Sequence, residues 1–343
     1  MNRPELPAAR GLLSEAVLAF LRGELLGLAV AEEAEAADPW GEDLQLALYC
    51  CYELHYRGFA DVPDDLEWNP DLLGARAGME RAFLAALRAE VPDGDAAKSD
   101  AAKSDAAELA DVIDALLVEP VDAHGVSHHL RRDGEVWQVR EYVAHRSLYH
   151  LKEADPQAWV IARLDGPAKA ALVTVEHDEY GGGDPARMHA HLFAEMMRSL
   201  DLDATYGAYL DAAPAPVLAE VNLMSLCGLH RSLRGALVGQ FATVELTSSP
   251  GSDRIVRAMR RLGLPEQAVE FYAEHVEADA VHEQLVRRGV IAPMVAAEPE
   301  LARDIVFGIR ASTLLADRTD AMLLRSWGSG RSALRRPLAD SPA

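Results

Sequence analysis

His275, Asp279 and His282 lie in one stretch, Phe271-Tyr272-Ala273-Glu274-His275-Val276-Glu277-Ala278-Asp279-Ala280-Val281-His282, and no Gly or Pro occurs between Pro265 and Gly289. Its apolar residues recur at helical spacing. Positions i, i+4 and i+7 of a helix fall within roughly 60° of one another at about 100° per residue, so these three side chains leave one face. Two imidazoles and a carboxylate are ligand types that non-haem iron accepts, with oxygen ligands from elsewhere completing the shell. The competing reading is an ordinary polar face, because Glu274, Glu277, Glu283 and Gln284 are solvated neighbours. Further ligands elsewhere in the chain decide between the two.

Several carboxylates lie where an apolar helix would not normally put them. Glu245 closes Phe241-Ala242-Thr243-Val244-Glu245-Leu246, in a helix whose earlier turns carry Leu233, Ala236, Leu237 and Val238. Glu153 ends a helix that begins at Val139, Glu179 stands just before Gly181-Gly182-Gly183, and His189 stands just after it. With the first stretch these make four carboxylates (Glu153, Glu179, Glu245, Asp279) and three imidazoles (His189, His275, His282). Such a set suits two iron ions bridged by carboxylate, whereas a single zinc needs only about four ligands. Glu176 is three residues before Glu179 and can share its helix face, so it competes for the same role. His177, Asp178 and His191 are expected in solvent, and His145, His150 and His230 as hydrogen-bonded structural histidines. Tyr272, Phe241, Gln240 and Arg231 are candidates to lie near the metal face.

The order Glu153, Glu179, His189, Glu245 and then His275-x3-Asp279-x2-His282 resembles the haem-oxygenase-like diiron oxidases and oxygenases, known generically as iron-containing redox enzymes. The ten-residue step from Glu179 to His189 and the thirty-residue step from Glu245 to His275 are similar to that family's spacing. The resemblance runs from about Val139 to Trp327, and the HxxxDxxH helix is its most specific part. It implies an all-α, haem-oxygenase-like seven-helix bundle holding two Fe ions per chain. It also implies O2 as co-substrate, a small-molecule substrate (amine, amino acid or aliphatic acid), and room for an external electron donor. Glu153, Glu179 and His189 are expected to bind mainly one iron or to bridge, and Glu245, His275, Asp279 and His282 to complete the pair; the partition between the ions stays open. Sites of this family are labile because one ligand-bearing helix is partly disordered without metal. Gly181 to Gly183 offer a local reason, since glycine broadens the unfolded ensemble.

Two other readings compete. A haem-binding relative would share the fold, with Gly235 and Gly239 in a glycine-containing helix and His145 or His150 as axial ligand. Against it, haem needs no ring of four carboxylates, and burying them unpaired is costly. A metal-free member of the same bundle that binds a small molecule or regulates a partner would take up no ferrous ion.

The 343 residues that must hold these ligands suffice for a sizeable core. Half the residues are hydrophobic and only 6% aromatic, with Ala and Leu dominant, which favours helices. A formal charge of −22, from 55 acidic against 33 basic residues, opposes binding to nucleic acid or to an anionic membrane. Cys50, Cys51 and Cys227 make neither a disulfide framework nor a CxxC pair, which suggests a reducing compartment. Glu15, Arg22 and Glu24 interrupt the first apolar stretch, so no signal peptide is read and a cytoplasmic protein is expected. A homodimer is compatible with such bundles.

Residues 1–92 read as a helical region. Leu12, Leu13, Val17, Leu18, Phe20 and Leu21 form one stripe; a second helix runs from about Asp43 to Arg57, and a third from about Leu72 to Glu90. Glu53 and His55, two apart, point about 200° away from each other and cannot share an ion. They are expected at the surface or an interface, with Tyr49, Tyr52 and Tyr56 as packing neighbours. Residues 93–107 repeat Asp-Ala-Ala-Lys-Ser and read as a linker, flexible or weakly helical. Residues 108–330 then form the diiron domain and 331–343 a flexible tail. Within the domain, a short helix is expected from Glu108 to Leu117, and a turn at Asp133-Gly134, with surface His128 and His129 before it, suggests a small hairpin. Helices follow over about Val139 to Ala154, Pro167 to Tyr180, His189 to Ser199, Pro216 to Leu246, beyond Pro265, and Glu298 to Trp327.

Overall fold

In the computed structural model, which describes residues 3–28, 30–91 and 101–342, every regular element among those residues is helical. Leu13, Val17, Leu18 and Leu21 are buried along one side of α1 (Leu12–Leu21). The chain continues through α2 (Ala31–Ala36), α3 (Glu42–Glu53) and α4 (Pro70–Glu90). Asn69 starts α4 by accepting the Asp71 and Leu72 amides on its side-chain oxygen, with Pro70 pre-set at the first position. Then come α5 (Ala101–Leu116), α6 (Val126–Arg132), α7 (Val136–His150), α8 (Asp155–Ile161), α9 (Gly166–Glu179) and α10 (His189–Ser199). The last are α11 (Ala215–Leu229), α12 (Arg234–Arg261), α13 (Glu266–Gln284), α14 (Ala292–Ala297) and α15 (Leu301–Gly328). A π-helical stretch, Leu285–Ile291, prolongs α13 and packs on α9. Among the described residues no helix is long and apolar enough to cross a membrane.

The long helix α12 is the spine, packed on α13 along one side and on α15 along another. The α12–α15 crossing is close because of two glycines: a Cβ on Gly239 would lie 2.1 Å from the Ile305 carbonyl oxygen, and one on Gly308 2.0 Å from that of Ala236. The first ninety residues have no separate core. Leu18, Leu44 and Phe83 belong to the same buried cluster as Leu218, Leu237 and Ile305, with α3 laid on α11. A second cluster, including Val139, Phe193, Met196 and Phe271, lies under α7, α10 and α13.

Several boundaries differ from the sequence expectation, each for a tertiary reason. The later part of the expected linker, from Ala101, is the first turn and a half of α5, which packs on α15 through Arg303–Asp105 (3.0 Å) and Arg310–Glu108 (2.8 Å); residues 93–100 lie outside the described residues. Instead of a hairpin, Asp133-Gly134 joins α6 to α7, and His128 and His129 sit half-buried on α6, meeting Glu119 and Gln138. The helix expected from Pro216 to Leu246 is two helices. Arg163 donates to the Gly228 and Leu229 carbonyls and so ends α11, while the Gly228 position approaches the Pro156 carbonyl too closely (2.7 Å) for any Cβ. Beyond Leu246, α12 continues through Pro250, because Ile255, Val256, Ala258 and Met259 are buried in the second cluster. The expected flexible tail is docked. Ala333 and Leu334 are buried, the Ala333 amide donates to Glu141 at 2.9 Å, and the Arg335 amide to the Ala212 carbonyl at 2.8 Å.

Candidate metal centre

Four helices and one turn carry the ligand-type residues inward. Glu153 follows the C-terminus of α7, Glu179 ends α9, His189 begins α10, Glu245 is in the middle of α12, and His275 and His282 lie two turns apart on α13. All six are buried. They converge in two groups whose ligand atoms lie within 4.8 Å of one another: Glu153, Glu179, His189 and His275 in one, Glu179, Glu245 and His282 in the other. Glu179 belongs to both. His275 thus lies with Glu153 and His189 rather than with Glu245 and His282; a helix face brings side chains to one side without assigning them to one group. Asp279 is on α13, one turn after His275, and its side chain lies outside the described residues.

The hydrogen bonds orient the imidazoles. His275 Nδ1 donates to the Phe271 carbonyl at 2.8 Å, which leaves Nε2 with the lone pair; that atom has no hydrogen-bond partner and lies 4.0 Å from Glu153 Oε1. His189 Nδ1 is 2.6 Å from Glu179 Oε2, and His282 Nδ1 is 3.1 Å from Glu245 Oε2 and 3.6 Å from Glu179 Oε1. His282 Nε2 meets Asp178 Oδ2 at 3.3 Å, and His150 Nδ1 meets Glu153 Oε2 at 2.9 Å. Asp178 and His150 thus hold ligand-type side chains from behind. His150 fits the structural role expected of it. Asp178, expected in solvent, is half-exposed but engaged, and its place next to Glu179 was the one sequence signal for it.

Charge is out of balance here. Burial pushes Glu153 up to about 7 and Glu245 up to about 7, and it pushes Glu176 up to about 9 with the charges of Glu179 and Glu245 adding to it. Burial acts to raise Glu179 too, but the His189 hydrogen bond and the surrounding imidazoles outweigh it and its pKa is lowered. For His282, burial is outweighed by Glu245, and the ring is raised to about 9. These are carboxylates short of positive charge, with an oriented imidazole lone pair among them and no thiolate. The donor set fits iron. Glu176 is outside both groups, and neither of its oxygens has a hydrogen-bond partner, so the geometry favours Glu179 over Glu176 as the ligand.

A cavity of about 740 Å³ reaches the centre, lined there by Glu153, Glu245 and His275 and farther out by Gln240, Tyr272 and Arg146. Of the four candidates for the metal face, Gln240 and Tyr272 line it; Phe241 is in the apolar core and Arg231 is exposed at the surface. His177 and His191 are exposed as expected, and His230 pairs with Glu80 at 2.9 Å. His145 is not the satisfied structural histidine expected, since neither ring nitrogen has a hydrogen-bond partner. Glu53 and His55 correct another expectation: both are buried, Glu53 against Lys152 at 2.9 Å and His55 against Glu67 at 2.9 Å. Lys152 is 99 residues from Glu53 and Glu67 is 12 from His55, so nothing local announced them.

No curated protein matches the chain. Residues 140–317 match the family described as iron-containing redox enzyme. That stretch is more than half of the chain and includes all seven ligand-type residues, so the chain belongs to the iron-containing redox enzyme family.

Proposed function

We propose that the chain is a non-haem diiron oxidase or oxygenase that uses O2 to oxidise a small organic substrate. The observation that carries this reading is that Glu179 belongs to both ligand groups, so that one carboxylate would be shared if each group held an ion. Glu153, Glu179, His189 and His275 would hold one iron, and Glu179, Glu245 and His282 the other, with Asp279, one turn after His275 in sequence, as a further expected ligand. When bound, the iron pair would supply the electrons with which O2 is reduced. The chain supplies the rest. His150 and Asp178 hold Glu153 and His282 in orientation, Phe193 and Phe271 form an apolar wall beside His150 and His275, and the cavity admits substrate on the Glu153–His275 side. An external donor would restore the reduced state between turnovers.

Anaerobic titration of the metal-free chain with ferrous ion, followed by exposure to O2, tests the reading. About two ferrous ions per chain and O2 consumption coupled to iron oxidation are expected. Uptake of a single ion would remove the paired centre, and no uptake would leave a metal-free binding or regulatory protein.

A further inference from the structure

Behind the main cavity lies a recess of about 180 Å³ that shares Tyr142, Arg146, Glu220, Met224 and Asp320 with it. The two spaces therefore adjoin, and the main cavity also reaches Glu153, Glu245 and His275. Its charged walls come from three helices: Arg146 on α7, Glu220 on α11 and Asp320 on α15. Arg146 and Glu220 keep 30% and 14% of their side-chain surface open, and both line the cavity and the recess.

One guanidinium faces two carboxylates. Arg146 Nη1 pairs with Glu220 Oε2 at 2.9 Å, and Thr319 is the other hydrogen-bonding group near this carboxylate, whose Oε1 makes no hydrogen bond of ordinary length. Asp320 accepts the Val126 amide at 2.9 Å. The cavity's other guanidinium, Arg254, is already paired with Glu119 at 2.9 Å. His145 lines the recess with both nitrogens unpartnered at 2% exposure. Burial pushes its pKa down to about 3, so it stands neutral with an acceptor nitrogen available. Burial raises Glu220 and Asp320, with the charge of Arg146 and the hydrogen bonds from Thr319 and the Val126 amide acting against it. An apolar group seated here would strand Glu220 Oε1 and the His145 nitrogens; Arg146 Nε is also unpartnered, but a carboxylate that reached it would meet the like charges of Glu220 and Asp320.

We propose that the substrate carries a cationic nitrogen, an ammonium or a guanidinium, and that Glu220 and Asp320 seat it in this recess while the rest of the molecule extends along the cavity towards Glu153 and His275. Glu220 and Asp320 are then specificity-determining residues remote from the reacting atoms. Their service to catalysis rests on the diiron reading; the binding itself does not.

The experiment is calorimetric titration of the full chain, iron-free and ferrous-loaded under anaerobic conditions, with butylammonium, butylguanidinium, 1-butanol and butyrate. The cations should bind at least about ten-fold more tightly than the alcohol, and butyrate most weakly, as a charge-assisted hydrogen bond implies. The stronger of the two cations identifies the head group. Glu220→Gln and Asp320→Asn should each weaken the cation by about ten-fold while leaving helical circular dichroism and ferrous uptake unchanged. Equal affinities across the probes, a preference for butyrate, or folded variants that bind butylammonium as well as the unaltered chain would overturn the proposal. If Glu220→Gln fails to fold with Arg146 unpaired, the probe ranking on the unaltered chain still decides. Cation selectivity without iron uptake would sink the diiron reading alone, and two irons without cation selectivity would sink the recess alone.

Discussion

Lys152 and Glu153 are adjacent in sequence and belong to two different kinds of buried charge. Lys152 reaches Glu53, which is 0% exposed and fully provided for: Lys152 Nζ at 2.9 Å, the Tyr206 hydroxyl at 2.7 and 2.8 Å from its two oxygens, and the Arg57 amide at 3.3 Å. Tyr56 and Tyr49 pack their rings on the ammonium at 4.2 and 4.9 Å. Glu153 turns the other way, into a group where His275 Nε2 goes without a partner, with the unpartnered Glu176 carboxyl on the same helix as Glu179. Burial is the same in both places. The Glu53 cluster is complete within the chain, as a structural ion pair must be, whereas the Glu179 group becomes complete only when external positive charge arrives.

The largest way to break this contrast is Glu179→Ala. Because Glu179 sits in both ligand groups, ferrous uptake should be lost entirely rather than halved, with the helical circular dichroism retained. Loss of one ion only would mean that the groups do not share a bridging ligand.

Lys152→Met attacks the completed cluster instead. It leaves Glu53 charged and buried without its cation, which should cost about 3–5 kcal/mol in urea unfolding of the metal-free chain. Adding Glu53→Leu to it should recover part of that loss, since the pair is then replaced by apolar volume. Ferrous uptake should persist in whatever fraction folds. An undiminished stability would show that the ammonium and carboxylate are not coupled.

A change of pH sharpens the comparison without mutation. Glu153 and Glu245 are raised to about 7, Glu176 and His282 to about 9. A group whose pKa is raised on folding holds its proton more tightly in the folded chain, so its stabilising share is present at low pH and lost as pH rises through the raised value. The metal-free chain should therefore melt at progressively lower temperature from pH 7 to pH 9. The lowered histidines, His145 and His275, act only below their ordinary value of about 6.5 and stay out of that window. Iron affinity should rise over the same range, because protons and iron compete for the same oxygens and nitrogens. A melting temperature that climbs from pH 7 to 9 would contradict the charge imbalance.

How much of this was legible beforehand depends on how local the cause is. The periods behind α1, α4 and α13 are local, and the common face of His275 and His282 follows from one helix. That Glu153, Glu179, His189 and Glu245 meet there is a property of packing, visible in sequence only through resemblance to a family. The 200° argument correctly separated Glu53 from His55 but misjudged their burial, because Lys152 is 99 residues from Glu53. The end of α11 was hidden for the same reason: Arg163, 65 residues away, ends it. The recess of Arg146, Glu220 and Asp320 draws one residue from each of three helices and leaves no pattern in any of them.

The smallest predicted effect on iron uptake belongs to Glu176, the buried carboxylate that neither cluster claims. With its pKa pushed up to about 9 by burial and then by Glu179 and Glu245, it is neutral in the folded chain at pH 7, whereas its ordinary value of 4.5 leaves it ionised in the unfolded chain. Folding at pH 7 therefore takes up a proton that Glu176→Gln does not need, and the variant should be the more stable of the two in urea unfolding of the metal-free chain. The difference should vanish towards about pH 4 and grow up to about pH 9. Ferrous stoichiometry should be unchanged. A variant that loses an iron would make Glu176 a ligand after all and give the second ion a carboxylate that the metal-free geometry keeps apart from it.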